Sequence, residues 1–216
     1  MSPLGRHRNE TAVGLIIDLY ACFFIPAYTL LYAGNTGWFE TNFSVLAATG
    51  PGRFAGCLYW GAALSVYFLG MLFLISREVR GSRPVRQLGV QACTCLAAGL
   101  SLPYRPEHLP RQAQLHVLLS CSACVLMMLV LLLVLIPFLR AQPGRYRPVL
   151  GWWLGIAGVS GCMFRLGGMV TSALEVFFTI SAALLVRRLW LLRCADREST
   201  GETVRKLRTR HKFKRS

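Results

Sequence analysis

The chain has 216 residues, a formal net charge of +15, a mean hydropathy of +0.47 and 54% hydrophobic residues. That apolar content excludes a disordered chain, and its concentration in long stretches points to a polytopic membrane protein. The charge does not argue for nucleic acid: it gathers in connections and in the tail, and residues 195–216 hold a single aromatic, Phe213, too few for a base-stacking surface.

A bilayer core of about 30 Å needs about 20 apolar residues in a helix. Six stretches qualify as spans: 12–34, 54–75, 88–102, 115–139, 149–164 and 171–193. The expected fold is an all-α transmembrane bundle of six spans. A leader, 1–11, precedes the six-helix domain at 12–193, and a basic tail, 194–216, follows it. No small-x-small cleavage site follows the first span, so it is expected to stay as a signal anchor. Span one carries Asp18 about two turns in, and an ionisable group inside a span is by default a functional candidate. It either joins an interhelical hydrogen bond or reaches toward Arg187 or Arg188.

The next connection supplies Asn35, Trp38, Glu40, Asn42 and Ser44, with Trp38, Phe39 and Phe43 as an interfacial aromatic belt. Pro26 in span one and Pro137 in span four are expected to kink their helices. Span two opens with Gly52 and Gly56, a GxxxG step for close helix approach. Cys93-x-Cys95 in span three and Cys121-x-x-Cys124 in span four tempt a four-sulfur metal reading. The two pairs fall in opposite leaflets, so no metal and no cofactor is expected, and the eight cysteines read as small apolar residues.

The connection 103–116 is the richest in chemistry. Three prolines keep it out of helix until about Leu109, and it holds Tyr104, Arg105, Glu107, His108, Arg111 and His116. In span four, Val125 to Ile136 is nearly unbroken Leu, Val and Met, which suits lipid contact. Span five carries Gly151, Gly155, Gly158 and Gly161 near one face. They read first as intrachain packing, and second as a homodimer face. Arg165 and Glu175 flank a tight hairpin and are expected to form an ion pair. In the tail, Ser199-x-x-Glu202 fits a capping box opening a short basic helix that lies on anionic headgroups.

Charge sorting sets orientation. With the amino terminus in the cytoplasm, 20 Lys and Arg fall inside and four outside: Arg53, Arg105, Arg111 and Arg165. Both termini are therefore expected in the cytoplasm, in a plasma membrane. The segments Asn35 to Val45 (N-x-x-W-F-x-T-N-F-S-V) and Leu102 to His116 (L-P-Y-R-P-E-x-x-P-x-x-x-x-L-H) resemble uncharacterised bacterial six-span membrane proteins. Those are loosely similar to DRAM/Frag-like families of unknown function. The resemblance implies a plasma-membrane protein and no established reaction.

Function follows less directly. No G-x-S-x-G, H-E-x-x-H or phosphate-loop pattern occurs. The favoured reading is a non-enzymatic protein that binds lipid headgroups or a small amphiphile in an outer polar cup. Tyr104, Arg105, Glu107, His108, Arg111, His116, Arg165 and Glu175 would build that cup. Two alternatives stand beside it: a small-molecule transporter or exporter, and an outer-face lipid-modifying enzyme using Glu107 and His116.

Overall fold

The computed structural model describes residues 12–35, 37–77 and 82–213, with side chains described as far as Arg197. The described chain is all α, in seven helices. They are α1 (Ala12–Ala33), α2 (Phe43–Ala48), α3 (Pro51–Ser76), α4 (Ser82–Ser101), α5 (Pro110–Ala141), α6 (Pro143–Gly167) and α7 (Ser172–Phe213). Four of them, α1, α3, α5 and α6, are long and apolar enough to cross a membrane. The other two long helices bear charge within their length: Arg83 and Arg86 in α4, and Glu175, Arg187 and Arg188 in α7.

Large apolar side chains such as Leu15, Ile16, Phe23, Leu31, Tyr59, Val66, Leu118, Val125 and Leu166 stand exposed on the bundle surface. So much exposed apolar surface suits lipid rather than water. The apolar run of α5 is divided between the expected lipid contact and the core, with Val125 and Leu129 exposed. Met127, Met128, Val130, Leu131, Val134 and Leu135 are buried, because α5 lies between α4 and α6.

Each long helix packs on the next along the chain from α3 to α7, and α1 closes the ring against α7 and α3. Near its middle α1 widens into a π turn over Tyr20–Phe24, where the Ile25 N–H reaches back to the Tyr20 carbonyl. Pro26 follows at once. It lacks an N–H, and its ring would collide with the Cys22 carbonyl in a regular α-helix; the wider turn relieves that collision. Pro137, by contrast, sits inside α5 without ending it.

Close packing runs through glycines that the span pattern did not single out. Gly61 of α3 receives Leu100 of α4, and Gly89 of α4 receives Leu72 of α3, a reciprocal interlock. Gly99 of α4 lies against α5: a Cβ there would stand 2.7 Å from Ser120 Oγ and 3.3 Å from Ser120 N. Gly56 packs on the Tyr32 ring, while Gly52 faces open space. Span five packs on its neighbours, but not through the glycine face expected to do so. Cβ atoms built on Gly151, Gly155, Gly158 and Gly161 would meet nothing within 4 Å, since only Tyr146, Val149 and Ile156 of α6 are buried.

Buried tyrosine and tryptophan donors tie the ring together. Trp60 Nε1 donates to Thr29 Oγ1 at 3.0 Å, and Tyr67 O–H to the Ala183 carbonyl at 2.8 Å. Tyr32 and Arg53 are joined twice: Tyr32 O–H donates to the Arg53 carbonyl and Arg53 Nη1 to the Tyr32 carbonyl. At the opposite, basic end, Arg187 Nε donates to Asp18 Oδ1 at 2.6 Å, which supplies the intramembrane carboxylate with a cation.

The tail departs from expectation. Helix α7 runs unbroken through Ser199 and Glu202, so no capping box opens a new helix there. The same helix continues across residue 194. Asp196 is buried, accepts from Tyr146 O–H at 2.5 Å and pairs with Arg145 at 3.0 Å, which holds this turn of α7 on α6. Arg193 pairs with the same carboxylate and stacks over the Phe138 ring at 4.3 Å. The basic side chains of the tail, to which headgroup contact was assigned, lie outside the described residues.

These contacts set opposite outcomes for two glycine-to-alanine changes. Gly99→Ala overpacks the α4–α5 contact and is expected to destabilise the protein by about 1–3 kcal/mol. Gly155→Ala meets no atom and gains helix propensity of up to about 1 kcal/mol. Unfolding in detergent, followed by circular dichroism against denaturant, checks both signs.

Candidate ligand-binding site

Two connections meet at the end of the bundle opposite Asp196: the segment 34–50, which includes α2, and the segment 102–109. Neither could lie against apolar surroundings unless its backbone polar groups found partners. Asn42 begins the solution. As N-cap of α2 its Oδ1 accepts from Val45 N at 2.9 Å, while its Nδ2 donates to the Val170 carbonyl at 3.3 Å. The connection in turn caps α7. Ser172 N donates to the Thr41 carbonyl at 2.7 Å and Ala173 N to the Trp38 carbonyl at 2.9 Å, while Thr171 Oγ1 accepts from Leu174 N.

Glu175 lies one turn further into α7. Its Oε2 accepts from Phe43 N at 2.7 Å, which satisfies an otherwise orphaned donor at the start of α2. The expected Arg165–Glu175 ion pair is therefore not formed. Arg165 is exposed near the end of α6, and the carboxylate turns inward to the α2 backbone. The tight hairpin is present, but Gly167 and Gly168 release α6 there, with Gly168 in the left-handed region at φ 65°.

His116 is the second tie. It is buried, and all the hydrogen-bonding capacity of its ring is used. Nδ1 lies 2.7 Å from the Gly99 carbonyl and 3.0 Å from the Leu102 carbonyl, so it carries the proton and donates. Nε2 is then the acceptor, and Ser44 O–H donates to it at 2.6 Å. His116 thus joins α5, the end of α4 and α2. The carboxylate–histidine arrangement anticipated between Glu107 and His116 is absent: Glu107 is exposed, and both ring nitrogens have other partners.

Between these ties lies a cavity of about 340 Å³. Its walls are largely apolar, from Ala47, Phe54, Leu100, Leu102 and Pro103, with Cys57 among them. Ser44, Tyr104, Arg105 and His116 supply the polar groups, and the Tyr104 ring stands 5.6 Å from that of His116. A smaller hollow of about 300 Å³ adjoins it, lined by Ala48, Arg105, Pro106, Glu107 and His108. Arg105 is common to both, because the turn Arg105–His108 closes with the Leu109 N–H on the Arg105 carbonyl.

The predicted cup is therefore brought together in part. Tyr104, Arg105 and His116 share one cavity, and Glu107 and His108 border the next. Arg111, in the first turn of α5, and Arg165 are exposed and line neither. Glu175 acts on the backbone of α2, and Asp18 belongs to the basic end. Ser44 was read only as loop polarity; its pairing with a histidine 72 positions away carries no local signal. Among the described residues no three His, Cys, Asp or Glu side chains converge as metal ligands.

Comparison with protein-family models, curated proteins and solved structures finds no match. The likeness to six-span families thus rests on the two loop segments alone.

The Glu175 tie yields a graded expectation. Glu175→Gln keeps a carbonyl oxygen for Phe43 N and should change stability little. Glu175→Leu leaves that donor buried without a partner and should cost about 1–3 kcal/mol. Hydrogen exchange across residues 42–48 is the sensitive readout, since amide protection there should fall in Glu175→Leu and persist in Glu175→Gln.

Proposed function

We propose that this membrane protein binds an amphiphile, a lipid or a lipid-like molecule with an anionic headgroup, in the cavity beside α2. The observation that carries the reading is the cavity's composition: largely apolar walls around about 340 Å³, with Arg105 lining both hollows. Its volume falls in the range of ligand sites, and guanidinium is suited to bidentate capture of phosphate or carboxylate. Among the other residues expected in the cup, Arg111, Arg165 and His116 do not share the headgroup role with Arg105. The first two line neither hollow, and the third is committed to internal bonds.

Native mass spectrometry of the gently purified protein tests this. Retained anionic lipid should fall about 10-fold or more in Arg105→Ala, as expected for loss of a charge-assisted hydrogen bond, and persist in Arg165→Ala. Equal lipid retention in all three proteins would remove the cavity from the binding site.

The reading includes a topology. Six long helices and the 20-to-4 division of basic residues support six spans, both termini in the cytoplasm of a plasma-membrane protein, and the cavity in the outer leaflet. A fluorescent protein fused to the carboxyl terminus should then fluoresce in bacterial cells, and alkaline phosphatase fused there should be inactive. The reverse pattern would place the cavity in the inner leaflet. The open glycine face of α6 supports a second copy of this chain as neighbour, since small residues permit close backbone approach in lipid. A transporter would need its polar lining near mid-depth; here the cavity lies at the bundle end.

A further inference from the structure

We infer that Ser44 and His116 form a nucleophile–base pair, and that the cavity they share accepts a carboxylic ester of a long-chain amphiphile. The inference rests on the binding reading above and adds a reaction to it.

Three observations carry it. First, Ser44 Oγ lies 2.6 Å from His116 Nε2, and with the ring proton on Nδ1 the hydroxyl is the donor, as general-base activation of a serine requires. Second, the imidazole is held in the needed tautomer. Its Nδ1–H is fixed by the carbonyls of Gly99 and Leu102, which occupy the place a carboxylate takes in a Ser-His-Asp triad. Those two oxygens also stabilise the positive charge that appears on the ring when Nε2 takes a proton. Third, both side chains line the same cavity of about 340 Å³, so the reactive pair faces a space large enough for substrate. A merely structural serine–histidine tie has no need of such a space.

The chemistry closes with water as the second reactant. Ser44 Oγ bonds to the ester carbonyl carbon while its proton passes to His116 Nε2. Collapse of the tetrahedral adduct breaks the bond to the alcohol oxygen, and the alcohol leaves with that proton. Water then attacks the acyl-serine, giving up its proton to Nε2; collapse returns a proton to Ser44 Oγ and releases the carboxylic acid. Arg105 has a positioning role, holding an anionic group of the amphiphile while the chain lies along Phe54 and Leu100.

The test is labelling of the full-length protein in detergent by a long-chain fluorophosphonate, located by peptide mass spectrometry. The expected result is one phosphonyl adduct on Ser44, absent in Ser44→Ala. In His116→Gln the labelling rate should fall at least about 100-fold, the usual contribution of a general base. Because His116 also ties three segments, its variant is compared only after its unfolding transition matches the wild type. If it does not fold, the wild type decides alone, through slowing of labelling by a competing long-chain ester and release of free fatty acid from it. A folded wild-type protein left unlabelled at Ser44 overturns the inference. Undiminished labelling in folded His116→Gln overturns the pairing. Should wild-type protein retain lipid by native mass spectrometry while Ser44 stays unreactive, the reaction fails and the binding reading stands.

Discussion

A polar backbone brought next to an apolar phase must find every hydrogen bond inside the protein, and this constraint shapes the end of the bundle that holds the cavity. Helices satisfy it by themselves; connections do not. The 34–50 connection solves it by forming a six-residue helix of its own and exchanging partners with the start of α7. Asn42 and Glu175 complete the first turn of α2, and the carbonyls of Trp38 and Thr41 complete the first turn of α7. Each end serves as the cap of the other. His116 does the same for the end of α4, where the Gly99 and Leu102 carbonyls have only partial helical satisfaction.

In the remainder of the bundle, shape works beside a few polar ties such as Trp60–Thr29, Tyr67–Ala183 and Asp196–Tyr146. In lipid the hydrophobic effect gives helices little reason to associate, so close van der Waals contact has to supply it. The Gly61–Leu100 and Gly89–Leu72 interlock does this between α3 and α4, and Gly99 does it between α4 and α5. Gly99 therefore has two duties. Its missing side chain lets α5 approach, and that approach brings its carbonyl within 2.7 Å of His116 Nδ1. Packing and site construction meet in one residue.

Much of this was legible in the residues, and the limits have physical causes. Apolar length showed helices and membrane, because a 20-residue run has few other uses. It could not delimit α7, whose extension past residue 193 is held by Asp196 on Tyr146 and Arg145, contacts between residues 50 and 51 positions apart. Glycine spacing suggested span five as the packing helix, but spacing reports a face without saying what stands opposite it. There the face is open, whereas isolated Gly61 and Gly89 each receive a leucine. The 103–116 connection announced itself through its prolines and polar residues, and Tyr104, Arg105 and His116 do share a cavity. Which groups pair was not legible. Opposite charges near a hairpin favour an Arg165–Glu175 bond on paper, yet a half-buried carboxylate beside an orphaned amide is better used on that amide.

A histidine with all its ring capacity spent internally would ordinarily be read as a fold determinant, and His116 is one. The two roles are compatible because they use different nitrogens. Nδ1 does the structural work, binding two carbonyls that need a donor, and this fixes the proton on that side of the ring. Nε2 must then present a lone pair, and the residue opposite it is a hydroxyl on the wall of the cavity rather than a backbone group. A purely structural tie would be equally served by an asparagine or glutamine donating to the same carbonyls. What an imidazole adds is the capacity to accept a proton at one edge while the other edge stays anchored, and the edge that accepts it carries Ser44, which lines the same cavity.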